Sequence, residues 1–206
     1  MIARAEFICR DALPWLSANR DVGTIVTSLP DSDEMGMALD EWTQWFVNAV
    51  TACMNSASDK SCSIFYQTDR KIDGRLVSKS HLCFKAAELA GVHCLWHKIA
   101  LRQAVGSISL YRPSFTHMIA FSRMASSGTA RHDVIEAGHF AYPNAAGHAA
   151  ARFCVEFAAL SSNRLVDPFC GRGTFVHAAA AAGMSALGID IDPAQIRDAE
   201  LGRSML

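Results

Sequence analysis

A chain of 206 residues, half of them hydrophobic and 19% charged, is long enough to bury a substantial core and too apolar to stay disordered. With 19 Lys and Arg against 20 Asp and Glu, the formal net charge is -1. That excludes an overall basic field drawing the chain onto nucleic acid, so any such partner must meet a local patch. The seven cysteines (Cys9, Cys53, Cys62, Cys83, Cys94, Cys154, Cys170) are odd in number and nowhere spaced as CxxC, which argues against a disulfide framework or zinc ribbon and fits reducing, cytoplasmic conditions. The N-terminus "MIARAEFICRDAL" lacks a secretory apolar core, and "FVHAAAAAGMSALGI" is too short to span a bilayer, so the chain reads as soluble, with no membrane partner.

In chain order, strand-like runs alternate with helix-like ones, the pattern of an α/β sheet with parallel character. "AEFIC" (5–9) and "GTIVTS" (23–28) are strands flanking a short helix in "DALPWLSAN". Over 37–55, Leu39, Trp42, Phe46, Val50 and Cys53 recur at steps of three and four and predict an amphipathic helix. "SCSIFYQT" (61–68) is a strand, "TDRKIDGRLVSK" a loop, "HLCFKAAELAGV" a helix ending at Gly91, and "HCLWHKIAL" and "THMIAFSR" two further strands. The small, polar stretch 124–133 is the clearest loop. Beyond it come the helix "AAGHAAARFCVEFAALS", the strand "RLVDPF", the helix "FVHAAAAAGM", the strand "SALGIDI" and a last helix. Asp192 as N-cap, Pro193 at the first helical position and Gln195 three residues after the cap mark its start.

The chemistry concentrates in "LVDPFCGRGTF" (165–175). Gly171 and Gly173 open backbone conformations closed to other residues and let a ligand approach closely, while the N–H groups at the following helix start can donate to an anion. Strand "ALGID" ends in Asp190, a carboxylate that can accept from both hydroxyls of a ribose. Alternatively the glycines make only a tight strand-to-helix connection.

"DPFCGRGTFVHAAAAAGMSALGIDID" resembles the cofactor-binding half of S-adenosylmethionine-dependent methyltransferases, and "DPF-GxGT" is similar to the pattern of the amino-methyltransferases acting on DNA and RNA. The resemblance implies S-adenosyl-L-methionine as cofactor, with Asp167, Phe169, Gly171, Gly173 and Thr174 around its methionine part and Asp190 on its ribose. It also implies a Rossmann-like class I fold: a doubly wound, seven-stranded, mostly parallel sheet with one antiparallel strand near "THMIAF". The glycine turn normally opens this fold, but here it lies near the C-terminus. "FICRDALPWLSANRDVGTIVTSLPDSD" looks like the start of a circularly permuted member, with Asp11 and Ala12 beside the adenine. The whole of 1–206 then forms one domain, with a catalytic half over 1–123 and a cofactor half over 134–206.

In that family the catalytic loop is an Asp, Asn or Ser, two prolines and an aromatic that stacks on a flipped-out base. Here it reads "TSLPDSDE": Ser28 and Pro30 match, Leu29 replaces a proline, and Asp31 replaces the aromatic. The usual loop accepts the hydrogens of a poorly nucleophilic exocyclic amine as the nitrogen becomes tetrahedral. Either stacking comes from elsewhere or the substrate atom differs. Asp31 could accept a proton, with Asp33 and Glu34 as further candidates, or "PDSDE" could simply cap the helix beginning near Met37.

Arg70, Lys71, Arg75 and Lys79 share one segment at the presumed active edge, where they could contact phosphate or lie in an ordinary solvated loop. Tyr142, Pro143 and Asn144 fall where family members place a wall of the cofactor pocket. His93, Cys94 and His97 lack further paired ligands, so no metal is expected, and His117 reads as a core or edge residue. The resemblance places a DNA-recognition insertion near 124–133, which is short here. That favours a structured RNA, tRNA or rRNA, recognised by shape or with a partner protein. Methylation of DNA or of a small molecule, or an inactive cofactor-binding subunit, are the alternatives.

Overall fold

The computed structural model describes residues 4–109, 112–124 and 131–202; most of the loop expected over 124–133 lies outside them. The elements in chain order are β1 (Ala5–Cys9), α1 (Ala12–Ala18), β2 (Thr24–Thr27), α2 (Ser32–Met35), α3 (Leu39–Ser56), β3 (Ser63–Gln67), β4 (Arg70–Ile72) and β5 (Arg75–Val77). They continue with α4 (Lys79–Ala90), β6 (His93–Leu101), β7 (Phe115–Ser122), β8 (Val134–Glu136), α5 (His148–Ala158), β9 (Arg164–Asp167), α6 (Thr174–Ala181), β10 (Ser185–Asp190) and α7 (Pro193–Glu200).

The main sheet has the order β1-β10-β9-β2-β3-β7-β6-β8. Every pairing is parallel except those of β7, which runs antiparallel to both β3 and β6. The expected antiparallel strand at "THMIAF" is therefore present. The sheet has eight strands rather than seven, because three-residue β8 adds to the outer edge in parallel with β6. A strand that short carries too few alternations to be read from sequence.

Alternation along the buried strands sends neighbouring side chains to opposite faces. Ile25, Phe65, Ile119 and Val166 pack with α1, α3 and α4 through Leu16, Trp42, Phe46 and Cys83. Val26, Ile64, Ala120 and Leu165 pack with α5, α6 and α7 through Val155, Phe175 and Ile196. Both faces are thus covered, as a parallel sheet requires. The helix starts follow local chemistry: Asp11, Ser78 and Asp192 each accept a backbone N–H of the first turn through their side chains.

Two segments depart from expectation. "TDRKIDGRLVSK" is not one loop but contains the β4–β5 hairpin, a separate two-stranded sheet. Its turn residues Asp73 and Gly74 both have left-handed backbones (φ 49° and 73°), and Asp-Gly is the dipeptide that tolerates this. The stretch before Met37 forms the one-turn helix α2, ended by Gly36 at φ 64°.

Candidate active site

Strands β9 and β2 are neighbours in the sheet, and the connections leave them in opposite directions, β9 toward β10 and β2 toward β3. A crevice opens at the carboxyl ends of strands where the order reverses in this way. The glycine turn, Asp190 and the "SLPD" loop all follow those ends.

The turn begins at Asp167, the last residue of β9 and fully buried. Its Oδ1 accepts the Thr27 hydroxyl at 2.7 Å and the Phe169 N–H at 3.2 Å. Burial pushes this carboxyl up to about 7 against those hydrogen bonds, with the charge of Asp190 adding to the rise. Gly171 and Gly173 take left-handed backbones (φ 51° and 80°), and Gly173 is the N-cap of α6. A Cβ on Gly173 would lie 2.7 Å from the Phe7 ring, so the turn needs glycine there for both dihedral and space.

Asp190 closes the turn from the next strand. Its Oδ2 accepts Gly171 N–H at 2.8 Å and its Oδ1 accepts Asp192 N–H at 2.9 Å, while burial raises its pKa. Cys9 on β1 is in register with Asp190, and Arg10 N–H donates to the Asp190 carbonyl at 2.9 Å. This sets Asp11, an exposed N-cap, and buried Ala12 at the same end of the sheet. Phe169 meets Trp45 of α3 edge-to-face, with ring centroids 5.7 Å apart. Tyr142 lies under the Arg172 guanidinium at 4.8 Å, its phenol pKa raised by burial.

The loop after β2 is held tightly. Leu29 is buried and its carbonyl accepts Lys79 Nζ at 3.4 Å, while the Pro30 carbonyl accepts the Trp42 indole N–H at 3.1 Å. Asp31, 6% exposed, is the N-cap of α2 in a capping box with Glu34, which accepts the Asp31 N–H at 2.8 Å. Its carboxylate pairs with Arg70, Lys79 and Arg112, the last at 3.1 Å. Arg70 also binds Asp33 at 3.1 Å. Burial opposes ionisation of Asp33, but the hydrogen bond and charge of Arg70 outweigh it and lower its pKa. Of the four residues Ser28 to Asp31, only half-buried Ser28 makes no hydrogen bond or ion pair through its polar groups to other described residues.

Lys79 is the surprise of the basic segment. It is 3% exposed, beneath the loop and within 5.8 Å of the Trp42 and Phe46 ring centres. Lys71 and Arg75 remain exposed. His117 is buried between Asp69 (3.2 Å) and His97 (2.8 Å), and among the described residues no three His, Cys, Asp or Glu side chains are grouped to hold a metal ion. Asn144 donates to Glu34 at 2.9 Å, so the Tyr142–Asn144 segment touches both the glycine turn and α2. Sequence reading missed Thr27, Trp45 and Arg112. Thr27 precedes the recognised loop by one residue, and Trp45 follows Trp42 by three on the helix, but nothing in the pattern marks Arg112.

No protein-family model matches the sequence, and no curated relative matches it. Solved structures do. TTHA0409 from Thermus thermophilus, described as a DNA modification methylase and seen in complex with S-adenosyl-L-methionine, is similar with a TM-score of 0.74 at 15% identity, over 98% of this chain and 95% of that one. M1.HpyAVI, in a SAM complex, gives a TM-score of 0.66 at 13% identity over 96% and 98% of the two chains. The cytosine-N4-specific PvuII DNA methyltransferase gives 0.72 at 11% identity over 97% and 86%. The chain has the fold of these methyltransferases. Among its described residues, no helix is long and apolar enough to cross a membrane.

Proposed function

We propose that this chain is an S-adenosylmethionine-dependent methyltransferase acting on a base in DNA. The observation that carries the reading is the meeting of a glycine turn, an acid after the next strand and a serine-led loop where the sheet order reverses, in a fold shared along nearly the whole chain with DNA methyltransferases. The expectation of a tRNA or rRNA substrate gives way to DNA, because two of the similar solved structures, TTHA0409 and the PvuII enzyme, carry DNA methylation in their descriptions. The order β1-β10-β9-β2, with the last strands of the chain lying between the first two, supports a circularly permuted arrangement within one domain.

The residues fit the cofactor. Thr174 Oγ1, at the start of α6, is buried without a hydrogen-bond partner among the described residues, and Gly171 has no neighbour nearer than 3.7 Å on the side where a Cβ would sit. Asp167, Phe169, Gly171, Gly173 and Thr174 would hold the methionine part, Asp190 the ribose, and Asp11 with Ala12 the adenine. When bound, the cofactor supplies an electrophilic methyl group on a sulfonium. Ser28 Oγ would accept a hydrogen bond from the amine N–H as the nitrogen becomes tetrahedral, and the amine's proton would leave to solvent after transfer. Leu29, Pro30 and Asp31 shape the loop, because their carbonyls and carboxylate are already committed to Lys79, Trp42 and the three cations.

Calorimetry with S-adenosylmethionine and transfer of labelled methyl groups to duplex DNA, single-stranded DNA, tRNA and rRNA test this reading. Asp190→Ala should weaken cofactor binding, and Ser28→Ala should lower kcat while leaving cofactor affinity intact. Transfer to tRNA in preference to every DNA would refute the DNA assignment.

A further inference from the structure

The β4–β5 hairpin belongs to neither layer of the fold. It forms its own two-stranded sheet, rising after β3 at the end of the main sheet where the active-site loops gather. Its base is fastened. Asp69, just before it, accepts the backbone N–H of Lys79, just after it, at 2.8 Å, and Arg70, its first residue, binds Asp31 and Asp33. Burial opposes ionisation of Asp69, but the His117 hydrogen bond and charge lower its pKa, so this anchor is ionised at neutral pH.

The far end of the hairpin is different in character. Lys71 and Arg75 are exposed and in no ion pair with other described residues. Leu76, 60% exposed, lies directly across from Lys71 on the outward face. The ribbon is fastened at its root, and beyond Arg70 it exposes two cations unpaired with other described residues and one apolar side chain, in a chain of net charge -1.

We infer that the β4–β5 ribbon grips duplex DNA beside the target base, with Lys71 and Arg75 on backbone phosphates and Leu76 against the groove. The inference rests on the nucleic-acid reading of the active site. The free cations complement a phosphate backbone. A two-stranded ribbon enters the major groove of B-form DNA, whereas the major groove of A-form RNA is too deep and narrow for side chains to read. Because Arg70 begins the ribbon and also holds Asp31, a DNA contact at the tip bears on the loop that carries Ser28.

The test is fluorescence anisotropy of a labelled mixed-sequence duplex at several salt concentrations, with the wild type, Lys71→Ala/Arg75→Ala and Leu76→Ala, alongside calorimetry of S-adenosylmethionine with each protein. Lys71→Gln/Arg75→Gln serves as a second variant of closer side-chain length. The double variants should weaken duplex binding and reduce the slope of log affinity against log salt by about 2, with cofactor affinity unchanged. An unchanged slope, no duplex binding by the wild type, or tighter binding of an RNA duplex of the same sequence would each overturn the grip. Failure of the wild type to bind cofactor counts against the methyltransferase reading alone, since the anisotropy arm stands without cofactor.

Discussion

The two walls of the cleft are built on opposite principles. The glycine-turn wall is mostly backbone: left-handed glycines, N–H groups shared with Asp190, and a carboxyl that burial pushes up to about 7 against the hydrogen bonds from Thr27 and Phe169. The "SLPD" wall is a knot of full charges, one buried carboxylate against Arg70, Lys79 and Arg112. A wall of backbone tolerates little change in shape, whereas a wall of buried ion pairs tolerates little change in charge. The contrast also bears on the proposed chemistry: the Asp31 carboxylate is engaged with three cations, which suits it to hold the loop, and the proposal leaves the Ser28 hydroxyl for the substrate.

Breaking the charged wall should have the largest effect. Asp31→Asn leaves Lys79 buried without its counter-ion and should cost about 3–5 kcal/mol in urea unfolding. Asp31→Leu combined with Lys79→Met should recover part of that loss, because the most deeply buried cation leaves with the carboxylate while Arg70 keeps Asp33. On the backbone wall, Gly173→Ala forces a strained dihedral and a collision with Phe7. It should cost about 2–4 kcal/mol and weaken cofactor binding, measured by unfolding and calorimetry.

A pH series sharpens the comparison further. The Asp167 carboxyl sits at about 7 in the folded chain against an ordinary value of 3.8. The folded state therefore keeps a proton that the unfolded state has released, and stability present below about pH 4 is lost as the pH rises toward 7. The slope for this group alone approaches about 1.4 kcal/mol per pH unit, and Asp167→Asn should remove that contribution. The smallest effect is expected where the walls meet: Asn144→Ala deletes one exposed hydrogen bond to Glu34 and should cost about 1 kcal/mol or less.

The sequence made the backbone wall legible because its demands are local. Glycines at 171 and 173, an aspartate ending each of two strands and the Asp192-Pro193 helix start declare themselves within a few residues. The main strands and the amphipathic α3 were readable from the pattern of apolar residues, while the antiparallel direction of β7 came from the family resemblance. The charged wall was not readable. Asp31 meets partners 39, 48 and 81 positions away, and a cation's burial depends on what folds over it, so Lys79 looked like one more surface lysine. The β4–β5 hairpin was missed although Asp73-Gly74 signals such a turn, because its strands of three residues are too short for a periodic pattern.

The register of β1 against β10 carries a cost in time. Ala5 pairs with Ala186 and Cys9 with Asp190, so β1 must wait for a strand synthesised long after it before it gains its neighbour in the sheet. Its Phe7 fills the space above both Gly173 and Gly188, which ties completion of the glycine-turn wall to that late docking. Pairings so distant along the chain slow folding. Until they form, β10 presents an unpaired edge to other molecules in the cell.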